Sequence, residues 1–75
     1  MAYNGHKNWN QWNVSLWINS DEWLYGMARQ FAKRGPTREI AAQRLLDALQ
    51  EFNQYKTPDG APYTKTALLN AMRKL

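Results

Sequence analysis

The sequence predicts an all-α fold, a compact bundle of about four short helices over residues 8–18, 20–34, 37–53 and 64–75, built by one domain spanning residues 1–75. Three observations predict it. Apolar residues recur at i, i+3, i+4 and i+7 spacing in most of the chain, capping residues precede those stretches, and a single stretch alternates as a strand would, with no second one to pair with it. The chain has 75 residues, and a fold of this size buries only about 60% of the surface its unfolded chain exposes. There is no cysteine, which excludes a disulfide framework, a thiolate nucleophile, a Cys-type zinc site and an iron-sulfur cluster. A core this small therefore stands on packing alone.

Residues 1–7 are polar, hold Asn4-Gly5 and lack a periodic apolar face, so they are expected to form a partly mobile lead-in. From Trp9 to Ile18 two patterns compete. Trp12, Val14, Leu16 and Ile18 alternate like a strand, whereas Trp9, Trp12, Leu16 and Trp17 fit a helical stripe. An unpaired strand is a poor structure, which favours a helix with Trp12 and Leu16 facing inward. Asn19-Ser20-Asp21-Glu22 then starts a second helix, with Asn or Ser as N-cap, Glu22 completing a capping-box-like pair with Asn19, and two carboxylates at the positive helix end. Its stripe is Leu24, Met27, Ala28 and Phe31, and Gly35-Pro36 stops it.

Thr37 is placed to cap the third helix, whose apolar face is Ala41, Ala42, Leu45, Leu46, Leu49 and Phe52, opposite Gln43, Asp47, Gln50 and Glu51. Pro58-Asp59-Gly60 combines a fixed φ, a side-chain acceptor and a permissive glycine, which predicts a tight turn or small hairpin. Thr64 caps the last helix, along which Leu68, Ala71, Met72 and Leu75 share a face and Tyr63 staples onto Leu68.

The net charge is +4, and its distribution is uneven. Before Arg29, Lys7 stands against Asp21 and Glu22, a net −1; from Arg29 onward nine cations face four carboxylates, a net +5. Such a basic portion favours nucleic acid, an acidic protein surface or anionic lipid as partner. The N-terminus shows no signal-peptide pattern and no apolar run reaches the length of a membrane span, so the expected compartment is the cytoplasm.

Chemistry is sparsely represented. His6 is the only histidine, and a triad or a metal site needs partners that its tail does not supply, so no catalytic residue, metal or cofactor is assigned. Asp21 and Glu22 are consecutive, hence about 100° apart on a helix, and helix-start electrostatics accounts for both. The glycines are isolated and form no phosphate loop. Asn13-Val14-Ser15 matches a glycosylation sequon, a pattern with many chance occurrences.

The candidate binding residues fall into two groups. Trp9 and Trp23 belong to a set of four tryptophans too large for all to be buried alike, and are the candidates for an exposed contact surface. Arg29, Lys33, Arg34 and Arg38 gather around the Gly35-Pro36 corner, with Lys65, Arg73 and Lys74 of the last helix extending the patch if that helix packs alongside. The bland alternative for the cations is a solvated helix end favoured by the helix dipole.

Trp12-Asn13-Val14-Ser15-Leu16-Trp17-Ile18-Asn19-Ser20-Asp21-Glu22-Trp23-Leu24-Tyr25, preceded by Tyr3-Asn4-Gly5 and Asn8, resembles a family of small phage and mobile-element proteins carrying a T-W-N-V-x-L-W-I-x-N-D-E-x-L-Y-type signature. A later Thr57-to-Tyr63 stretch is also similar. Gln11 stands where that family often has Thr, and Trp23 where it has a small residue. The resemblance implies a phage or mobile-element origin and names no catalytic residue. A second stretch, Thr37-Arg38-Glu39-Ile40-Ala41-Ala42 through Thr57-Pro58-Asp59-Gly60 to Tyr63-Thr64, is similar in rhythm to the helix-turn-helix part of large serine recombinases. It implies a last helix approaching a groove, with Arg38 or Arg44 on backbone phosphate.

From that origin the leading expectation is a non-enzymatic inhibitor of a host defence complex, of anti-CRISPR or anti-restriction type. It would act in the host cytoplasm by contact with a host protein or ribonucleoprotein complex. The alternative is a basic DNA- or RNA-binding regulator.

Overall fold

Asn8, Asp21, Thr37 and Thr64 each hold an extended backbone, and each side chain accepts a hydrogen bond from the backbone N–H three residues on, at 2.9 to 3.1 Å. Four N-caps start four helices. Each satisfies a donor that the first turn leaves without an intrahelical partner, an effect of about 0.5–2 kcal/mol. In a computed structural model, which describes residues 8–73, the helices are α1 (Trp9–Ser20), α2 (Glu22–Arg34), α3 (Arg38–Glu51) and α4 (Lys65–Met72). The fold is an all-α bundle. Around it α1 packs on α2, α2 on α3, α3 on α4, and α4 back on α1, while α2 and α4 meet only marginally.

The expected lead-in at residues 1–7 lies outside the described residues. The stretch that alternates like a strand is helical from Trp9 to Ser20, and this alters which side chains point inward. On a helix, residues two apart diverge by about 200°, so Val14 and Ile18 enter the core while Leu16 is turned out. The expectation that Leu16 faces inward is corrected, since it is 42% exposed, and Trp12 is half-buried. The second cap is corrected too. Asn19 and Ser20 belong to the last turn of α1, where the Asn19 amide donates to the Ser15 carbonyl at 2.8 Å, and Asp21 alone separates the two helices as the cap of α2.

Along α2, Leu24 and Ala28 are buried, with Met27 and Phe31 packed partly against the core. Gly35 ends α2, and a Cβ built there would lie 2.9 Å from the Ala41 Cβ and 3.1 Å from the Thr37 carbonyl. The α2–α3 corner is tight because residue 35 has no side chain. On α3, Ala41, Ala42, Leu45 and Leu49 form the buried face. Phe52 does not join it: α3 ends at Glu51, and Phe52 is its C-cap. Asn53 then takes a positive φ of 60°, and the Gln54 N–H donates back to the Leu49 carbonyl at 2.8 Å. This is a Schellman ending with asparagine in the left-handed position.

The segment that returns the chain to α4 is pinned to α1. Thr57 and Ala61 exchange N–H···O=C and N–H···Oγ1 bonds, Lys56 pairs antiparallel with Pro62, and Gly60, at φ 99°, closes the Pro58-Asp59-Gly60 turn. The expected small hairpin is thus one bridge long. Tyr63 and Leu68 both end in the core, with Ala67, Ala71 and Met72. Helix α4 runs from Lys65 to Met72 with Arg73 as its C-cap, and Lys74 and Leu75, the last residues expected of this helix, lie outside the described residues.

Candidate functional site

Helix α1 mixes six apolar with six polar residues around its axis, and the core takes Val14 and Ile18 together with the polar Gln11, Asn13 and Ser15. With Val14 and Ile18 inward, Trp9, Trp12 and Leu16 fall together on the opposite arc, two turns long. Trp9 is 40% and Leu16 42% exposed, with the half-buried Trp12 between them. A contiguous apolar strip facing solvent marks a contact surface more often than a scattered exposed leucine does. Trp17, the third aromatic expected on this stripe, turns away from it and donates its indole N–H to Asp59.

Trp23, the second tryptophan proposed for contact, is 47% exposed at the start of α2. Its ring meets Phe52 edge-to-face, at 5.5 Å between centroids and 85° between planes, and Phe52 is itself 58% exposed. Such a pair contributes about 0.5–1.5 kcal/mol beyond the area it covers. The sequence stripe points Phe52 at the core, and the end of α3 at Glu51 is what releases it. Trp9 and Trp23 do not form one patch, because the twelve residues of α1 put about 18 Å of helix between them.

The cations around the corner are all exposed. Arg29 and Lys33 share the outer face of α2, Arg34 is its last residue and Arg38 the first of α3. Among the described residues, no carboxylate forms an ion pair with any of them. Lys65, at the start of α4, reaches the same end of the bundle. With Thr37, Glu39, Ile40, Gln43 and Arg44 it lines a groove of about 550 Å³. Arg73 is not gathered there, since it follows the far end of the eight-residue α4, about 12 Å away. Lys74 lies outside the described residues.

The polar cluster that sequence reasoning missed runs from the buried Asn13 and Thr57 out to the exposed Asp59. Asn13, 2% exposed, accepts from the Thr57 hydroxyl through Oδ1 at 2.6 Å and donates through Nδ2 to Asp59 at 2.9 Å; Trp17 donates to the same Asp59 oxygen. Those two donors hold the Asp59 carboxyl below its usual range, the Asn13 amide contributing most. Burial, with the nearby Asp21 charge, pushes the Tyr63 phenol up. Both groups serve the fold. Among the described residues no cluster of three or more His, Cys, Asp or Glu is arranged to hold a metal ion, and no helix is long and apolar enough to cross a membrane. His6 lies outside the described residues.

The chain belongs to a family of unknown function, DUF7249, whose model matches residues 1–75. No curated protein and no solved structure matches the chain.

Proposed function

We propose that the protein is a non-catalytic binding domain that occupies the surface of another protein, and that the outer side of α1 is its contact face. The observation that carries this reading is the exposure of Trp9 and Leu16 directly opposite the buried Val14 and Ile18. Neither side chain completes the core, and a tryptophan beside an aliphatic neighbour on a rigid helix is the kind of anchor that interfaces concentrate. The resemblance of residues 3–25 to phage and mobile-element proteins supports a host macromolecule as the target. Within that reading the favoured role is inhibition of a host defence complex by occlusion. The test is capture of partner from a host lysate by the immobilised chain and by Leu16→Ser, with circular dichroism confirming that the variant is folded. Capture by the parent and its loss in the variant supports the proposal; equal capture by both removes α1 from it.

A second reading is favoured by a separate observation, the four exposed cations Arg29, Lys33, Arg34 and Arg38 without ion pairs among the described residues. They suit phosphate, and binding through them would weaken steeply between about 50 and 200 mM salt. A tryptophan-fluorescence titration with short DNA and RNA checks it. This reading ranks second because cations at the end of α2 also meet the negative end of the helix dipole.

A further inference from the structure

The groove between α3 and the start of α4 has a composition that the α1 contact face does not explain. Ile40 sits in it and is 40% exposed, an aliphatic β-branched side chain on the solvent side of a helix whose buried face is formed by Ala41, Ala42, Leu45 and Leu49. Arg44 comes from the next turn of α3 and Lys65 from α4, so two helices bring one cation each to the same groove. Gln43 and Thr37 add neutral hydrogen-bonding groups, and among the described residues Glu39 is the only carboxylate lining it. Among the described residues neither Arg44 nor Lys65 is engaged in an ion pair.

We infer that this groove docks an acidic peptide segment of a partner protein, with an aliphatic side chain of the peptide over Ile40 and its carboxylates on Arg44 and Lys65. The inference rests on the protein-binding reading above and adds the chemistry of the partner. Charge complementarity selects the occupant. Two cations against the single carboxylate of Glu39 leave the described lining net positive, which calls for an anion, and Ile40 calls for an aliphatic group beside it, which a peptide supplies and a phosphodiester backbone does not. Glu39 argues in the same direction. A nucleic acid strand seated in the groove would bring its regularly spaced phosphate charge against that carboxylate, whereas a peptide can place a neutral residue there.

The experiment follows backbone amide shifts of the full chain by two-dimensional NMR during titration with an N-acetylated, C-amidated hexapeptide of alternating glutamate and leucine. The same peptide with glutamine for glutamate and a single-stranded hexathymidylate serve as comparison probes. The expected result is saturable shifts at Thr37, Ile40, Gln43, Arg44 and Lys65, absent with the glutamine peptide. Affinity should fall roughly fivefold in Arg44→Gln and again in Lys65→Gln, both exposed positions at which the fold is retained. Ile40→Ser, also exposed, should weaken binding while leaving its salt dependence in place. No shift at millimolar peptide, or shifts centred on Trp9 and Leu16, overturns the groove as the site. Tighter binding of the oligonucleotide at the same residues overturns the peptide as occupant. The two readings fail separately: capture from lysate that is lost in Leu16→Ser, together with no peptide shift, removes only the groove. Peptide shifts in the groove with no Leu16-dependent capture remove only the α1 face.

Discussion

Asn13 and Asp59 are 46 residues apart in sequence and 2.9 Å apart in the structure, and through this bond the turn before α4 is fastened to the middle of α1. Thr57 and Trp17 complete the attachment, so each end of the Asn13 amide has a partner on the same turn and the carboxylate has two donors on one helix. A small core of aliphatic residues thereby gains one directional contact that fixes where the long connection lies.

Replacing Asn13 by Ala should destabilise the protein by about 1–3 kcal/mol, because the buried Thr57 hydroxyl loses its acceptor and a cavity replaces the amide. Chemical denaturation measures the loss. A change under about 0.5 kcal/mol, the level of an ordinary surface substitution, would show that the bonds contribute little.

Asp59 links stability to acid. Its folded-state carboxyl is lowered by its hydrogen bonds to Asn13 and Trp17, so its contribution is present above the usual value of 3.8 and is lost as the pH falls through the lowered value. Thermal melting between pH 7 and pH 2.5 should show a drop in Tm at the acid end that is smaller in Asp59→Asn. Parallel pH profiles for the two proteins would contradict the assignment.

Two glycines should respond oppositely to alanine. At Gly35 the new methyl group has Ala41 and backbone within 3.2 Å, and Gly35→Ala should cost about 1–3 kcal/mol. At Gly26, exposed within α2 with nothing in reach, Gly26→Ala should stabilise by about 0.5–1 kcal/mol. Equilibrium unfolding of both variants tests the pair, and equal effects would contradict the tight corner.

Asn53 holds the left-handed position that ends α3. Asn53→Ala should lower stability by about 1 kcal/mol, since alanine lacks the local hydrogen bonding that lets asparagine tolerate a positive φ. An unchanged unfolding midpoint would show that the chain leaves α3 by another route.

Much of the fold is legible in the sequence because its signals are local. Thr37 and Thr64 announce their helices, the Ala41-to-Leu49 stripe has a single apolar side, and Pro58-Asp59-Gly60 is a turn by its own chemistry. Helix α1 is legible as an element and not as an orientation, because its polar residues do not mark the solvent side: Gln11, Asn13 and Ser15 are buried while Trp9 and Leu16 are exposed. The cap of α2 is obscured by three successive capping residues, Asn19, Ser20 and Asp21, of which only the last lies beyond the end of α1. The candidate surface is legible in part. Trp9, Trp23 and the corner cations are exposed, whereas the periodic stripes point Leu16 and Phe52 at the core and nothing local marks Ile40 as exposed, since exposure of an apolar residue depends on where neighbouring helices stop. The Asn13–Thr57–Asp59 bonds could not be read from either segment alone; the available hint is a polar residue at the centre of an apolar stretch.

The most direct test of the binding account compares two surfaces on one partner. Capture from host lysate is measured at about 50 and 200 mM salt with the parent chain, with Trp9→Ala/Leu16→Ser and with Arg29→Gln/Lys33→Gln/Arg34→Gln/Arg38→Gln. The account predicts that a protein partner is retained at both salt concentrations, lost by the α1 variant and kept by the charge variant. Retention by the α1 variant, with loss in the charge variant and steep release by salt, would contradict it and put nucleic acid in its place.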